Sequence, residues 1–148
     1  MFLIVVDECT RYKIAECLKD RTAKHLHHVI LQNWIRYFGP PNCLVLDQEG
    51  AFTSDLLGLT CDRFSIRRKF AGSDDHTTTG LAERYIFLLR VVALKMRAVI
   101  QKEKLGITQE DCVTDCAMAS NLLLSHDGAT PCHAVLGYQP RCYTDCLL

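Results

Sequence analysis

No apolar run in this chain approaches the roughly 20 residues that a membrane-spanning helix needs. Phe2-Leu3-Ile4-Val5-Val6 is too short for a signal-peptide core and runs straight into Asp7-Glu8. These shortages predict an intracellular chain without a membrane partner. An excess of one charge is missing too, with 17 basic and 17 acidic residues. A generalised polyanion-binding surface is not indicated, so any nucleic-acid contact must come from local patches. Paired Cys-x-x-Cys spacings are absent despite nine cysteines; Cys112/Cys116 and Cys142/Cys146 lie four apart. Without an export signal these thiols read as reduced and partly buried. A zinc site built from them with His25, His27 or His28 is the minor reading.

What is present is ordinary globular material. With 49% hydrophobic and 23% charged residues over 148 positions, the chain suits one soluble domain with one core. No internal repeat or linker divides it. Residues 2 to 6 read as a buried strand, Asp7 to Arg11 as a turn, and Tyr12 to Leu18 as a second strand. Asp20 or Thr22 caps a helix through about Phe38, which Gly39-Pro40-Pro41 stops. A strand over Cys43 to Leu46 leads into the turn Asp47-Gln48-Glu49-Gly50. A short helix follows Ser54, and Phe64 to Phe70 reads as a strand bearing Arg67, Arg68 and Lys69. The stretch 72–80 is polar and predicts a flexible loop.

A long helix is expected from about Leu81 to Lys104, with Leu81, Tyr85, Leu88, Leu89, Val92, Met96 and Val99 as its core-facing stripe. Thr108 and Asp111 predict a capping box on a helix to Leu124, and a last helix spans about Pro131 to Leu136. The order of elements implies an α/β layer structure. Ligands in such folds sit where strand ends meet helix starts. Asp47, at a strand tip, and Glu83, in the first turn of the long helix, both fall there, with 35 residues between them. Two such acids can converge on one divalent metal and serve phosphodiester chemistry. Taken singly, Asp47 also reads as a turn residue and Glu83 as an acid suited to a helix start.

Four segments then resemble, in order, the catalytic core of retroviral and LTR-retrotransposon integrases. They are Val6-Asp7-Glu8-Cys9-Thr10-Arg11-Tyr12; Phe38-Gly39-Pro40-Pro41 with Leu46-Asp47-Gln48-Glu49-Gly50-Ala51-Phe52; Gly80-Leu81-Ala82-Glu83-Arg84; and Thr130-Pro131 through Gly137-Tyr138-Gln139-Pro140-Arg141. The resemblance implies a ribonuclease-H-like mixed sheet flanked by helices, with Asp47 and Glu83 as catalytic ligands of Mg²⁺ or Mn²⁺. It implies DNA as substrate, cut and joined at mobile-element ends in the nucleus, and a homo-oligomer. Arg90 matches a basic position that contacts DNA ends in relatives, and Arg97 lies one heptad further along the same face.

The resemblance also implies a third acid on a central strand upstream of the hairpin, which is missing here. Asp7 matches the hairpin aspartate of the family, not that ligand. The expected structure is therefore a core without its first strand. The alternative reading is a non-catalytic remnant that retains nucleic-acid binding or oligomerisation, and a ribonuclease-H-like nuclease stands third.

Overall fold

Asp7 organises the first turn. Its Oδ2 accepts hydrogen bonds from the backbone N–H and the hydroxyl of Thr10, both at 2.7 Å. Thr10 Oγ1 in turn accepts from Tyr12 N–H at 3.2 Å. Arg11, at φ 64°, takes the left-handed conformation that reverses the chain. This turn joins β1 (Phe2–Val6) to β2 (Lys13–Cys17), which pair as a two-stranded sheet. Asp7 is therefore a turn residue, as its motif implies.

The structure, a computed structural model, describes residues 2–20, 22–46, 52–70 and 76–141. Asp47, with the rest of the turn expected from the sequence, lies outside them, as do residues 71–75. The chain divides into two compact units, one of Met1–Leu3 with Cys17–Glu83 and the other of Ile4–Glu16 with Arg84–Leu148.

In the first unit, Asp20 Oδ1 accepts from the N–H and hydroxyl of Thr22, whose own oxygen caps α1 (Ala23–Ile30) by accepting from His25 N–H. The helix continues through a π-helical segment, Leu31–Ile35, into α2 (Arg36–Phe38). Leu26, Val29, Ile30 and Trp34 form its buried stripe, and the Trp34 ring lies 5.0 Å from that of Phe38. Gly39, at φ 78°, ends the run. β3 (Cys43–Leu46) pairs in parallel with β4 (Arg67–Phe70), Cys43 opposite Arg67 and Leu46 opposite Phe70. The connection between them contains α3 (Asp55–Arg63), capped by Ser54 and packed against α1 through buried residues that include Leu57 and Cys61.

β4 is shorter than the expected strand over Phe64 to Phe70, for a reason visible in the backbone. The N–H groups of Phe64, Ser65 and Ile66 donate to Thr60 O, Asp62 O and Cys61 O, so they close α3 and cannot join a ladder. Ser65 is left-handed at φ 55°.

α4 (His76–Glu103) has residues up to Glu83 in the first unit and the rest in the second, and it begins five residues before the expected Leu81. The expected loop over 72–80 is thus helical from His76 onward. A polar segment carries no 3.6-residue apolar signal, so periodicity alone could not place this start. The core-facing stripe also needs correction. Tyr85 and Leu89 are buried and Leu81 and Met96 half-buried, but Leu88, Val92 and Val99 are exposed. Half-buried Ala93 and Ile100 complete the inward stripe instead, with Ala93 and Met96 touching α5.

α5 (Gln109–Leu123) starts with the expected capping box, Thr108 and Asp111 each bonding the other's backbone. A tight turn follows, Asp127 at φ 50° and Gly128 at φ 86°, closed by the pair His126 and Ala129. Thr130 caps α6 (Pro131–Leu136), Pro131 occupies its first turn, and left-handed Gly137 ends it. Gln139 then ties the segment down, its Nε2 donating to Leu122 O at 2.7 Å. Among the described residues no helix is long and apolar enough to cross a membrane.

Candidate nucleic-acid interface

An α-helix drifts only about 20° over seven residues, so Glu83, Arg90 and Arg97 line one face of α4. All three are exposed. Successive members are about 10.5 Å apart along the axis, too far to neutralise one another. Glu83 is exposed and carries no hydrogen bond or ion pair to another described residue. Its carboxylate oxygens are hard donors of the kind that suit Mg²⁺ or Mn²⁺. One carboxylate is not a site, however, and the position of Asp47 relative to Glu83 lies outside the described residues. What the structure does give is the element that leads to Asp47. β3 ends at Leu46, in register with Phe70, so Asp47 is the next residue in the chain after the carboxyl end of a parallel pair. Ligand crevices in open α/β folds lie at that end. Among the described residues no three His, Cys, Asp or Glu side chains cluster as metal ligands.

A second basic element lies on β4, where Arg67, Arg68 and Lys69 are all exposed. Parallel strands are ordinarily buried on both faces, so an exposed, basic one is unusual. The Arg68 guanidinium packs over Gly58 of α3, where a Cβ would come within 3.1 Å of it.

One polar constellation escaped the sequence reading. Lys13 is only 1% exposed, its Nζ donating to Ser120 Oγ at 2.8 Å and lying 4.5 Å from the centre of the Tyr85 ring. Tyr85 Oη is itself hydrogen-bonded to His126 Nε2 at 2.9 Å. Burial pushes the Lys13 ammonium down to about 8, only partly countered by the nearby Cys132 thiol. Burial likewise raises the phenol of Tyr85 above its usual range. The available signal was strand alternation, which places Lys13 on the same face as buried Ala15.

No protein-family model matches the chain, and neither does any curated protein. Solved structures do match. The catalytic core domain of HTLV-2 integrase, in complex with magnesium and in a trimeric form, is 18% identical, with TM-score 0.74 over 90% of this chain and 83% of that one. The catalytic core domain of BIV integrase is 21% identical, with TM-score 0.72 over 90% and 84%. A chain of the simian T-cell lymphotropic virus intasome, solved with the PP2A regulatory subunit B56 gamma, is 21% identical, with TM-score 0.74 over 93% of this chain and 48% of that one. The chain has the fold of retroviral integrase catalytic cores.

Proposed function

We propose that this chain is an integrase-type core, one domain that cuts and joins mobile-element DNA with Asp47 and Glu83 as metal ligands. The observation that carries the reading is Glu83. It is exposed, with no partner among the described residues, on the long helix α4 of an integrase-like fold, inside the segment Gly80-Leu81-Ala82-Glu83-Arg84. Asp47 follows the carboxyl end of β3 in the chain and supplies the second acid.

When bound, Mg²⁺ or Mn²⁺ would neutralise charge on the attacking and leaving oxygens of a phosphodiester. The chain's own part is to hold the ions and place the DNA. Arg90 and Arg97 are its positioning groups, contacting phosphates without reading sequence. Self-association belongs to the same reading. Phe87 and Leu94 are 63% and 61% exposed on α4, an apolar cost that a second copy would relieve.

The test is nicking and strand joining on an element-end DNA with Mg²⁺ or Mn²⁺, comparing wild type with Asp47→Asn and Glu83→Gln. Each variant should lose the activity while still binding DNA. An inert wild type that binds DNA favours the second reading, a non-catalytic remnant. The engagement of Asp7 by Thr10 favours that reading, because it commits one carboxylate oxygen of that acid to the turn.

A further inference from the structure

Two sulfur atoms meet where α4 packs on α5, with a third one helical turn away, and no step of the proposed DNA chemistry uses them. Cys116 Sγ lies 3.1 Å from Met96 Sδ. Cys112 lies one helical turn earlier on the same face of α5, and its Sγ reaches toward Ala93 O at 3.9 Å. Both thiols are buried, at 3% and 2% exposure, while Met96 is half-buried and gives the group a route to solvent.

We propose that Cys112, Cys116 and Met96 form a binding site for a soft monovalent metal ion, Cu(I).

The donor set selects the ion. Two thiolates and a thioether are soft ligands, and among first-row metals they favour Cu(I). A structural Zn²⁺ site needs four donors in a tetrahedron. Here no third His, Cys, Asp or Glu joins the two cysteines among the described residues. Hard ions such as Mg²⁺ require oxygen ligands that the cluster does not offer. Cysteine is ordinarily a thiol at neutral pH and binds metal as thiolate, so the ion must displace protons. One Cu(I) replaces the protons of Cys112 and Cys116, which pass to water, while the Met96 thioether donates without proton loss. No electron moves, because copper arrives and stays as Cu(I). The complex carries one net negative charge and ties α4 to α5.

The experiment is an anaerobic Cu(I) titration of the full chain against a coloured Cu(I) chelator of known affinity. Wild type, Met96→Leu and the double variant C112S/C116S are compared, with the remaining cysteines as a common background. The double variant should bind one equivalent fewer than wild type against the chelator. Met96→Leu should hold that equivalent at least tenfold more weakly. Leucine conserves the volume of methionine, so this variant decides the matter even if the double variant fails to fold. Wild-type affinity in Met96→Leu, or an unchanged stoichiometry in a folded double variant, overturns the proposal.

Discussion

Asn121 holds both backbone groups of Lys13. Its Nδ2 donates to Lys13 O at 2.7 Å, and its Oδ1 accepts from Lys13 N–H at 3.0 Å. A side chain on α5 thus stands in for a neighbouring strand along β2, and it does so in a buried position. Asn121→Ala would leave a buried donor and a buried acceptor unpaired. We expect a loss of about 2–6 kcal/mol, from roughly 1–3 kcal/mol for each of the two orphaned groups. Urea unfolding should show the midpoint falling with the slope unchanged. A loss below about 1 kcal/mol would mean that water reaches these groups and the clamp is dispensable.

The lysine that this clamp fixes makes stability depend on pH. Its folded-state value of about 8 lies below the 10.5 of a freely hydrated lysine. Below pH 8 both states hold the proton and the burial penalty is fully felt. Between about 8 and 10.5 the unfolded chain binds more protons, so stability rises with pH across that window. Each unit corresponds to about 1.4 kcal/mol, and partial screening brings the expected gain to about 2 kcal/mol. Lys13→Met should be more stable than wild type at pH 7 by a similar amount and should flatten the curve between pH 8 and 10. Parallel curves for the two proteins would show that Lys13 is not the source.

Ser65 offers an independent check on the way α3 ends. It occupies the left-handed position of the helix terminus, at φ 55°, where glycine is usual. A left-handed residue costs about 1–2 kcal/mol when it carries a Cβ. Ser65→Gly should recover part of this, about 0.5 kcal/mol after the greater entropy of glycine when unfolded. Ser65→Val should lose about 1–2 kcal/mol. Thermal melts of the two variants should move in opposite directions.

Local signals made much of the fold legible beforehand. Thr22, Ser54, Thr108 and Thr130 each cap a helix through contacts within three residues, and Gly39 stops one by its own conformation. Non-local effects set the rest. Leu88, Val92 and Val99 look like core in the sequence, yet the face of α4 that meets α5 is the one bearing Ala93 and Met96. Ser65 and Ile66 look like strand, yet their N–H groups serve α3. Of the candidate site, the shared face of Glu83, Arg90 and Arg97 follows from heptad spacing alone. The burial of Lys13 does not, because Ser120 and Asn121 lie more than 100 residues away.

That shared face carries the last prediction. Arg90 and Arg97 are exposed, about 10.5 Å apart along α4, close to three phosphate steps of about 3.4 Å on one strand. If each neutralises one phosphate, the plot of log affinity against log salt loses about 0.9 from its slope for each arginine removed from a duplex complex. Arg90→Ala and Arg97→Ala should each weaken binding to any duplex alike, and the double variant should lose about 1.8. Lys95 is exposed on a different side of the same helix and serves as the control. Lys95→Ala should leave the slope unchanged. If it lowers the slope as much as the arginines do, DNA does not lie along this face, and the basic residues of α4 act only as a diffuse field.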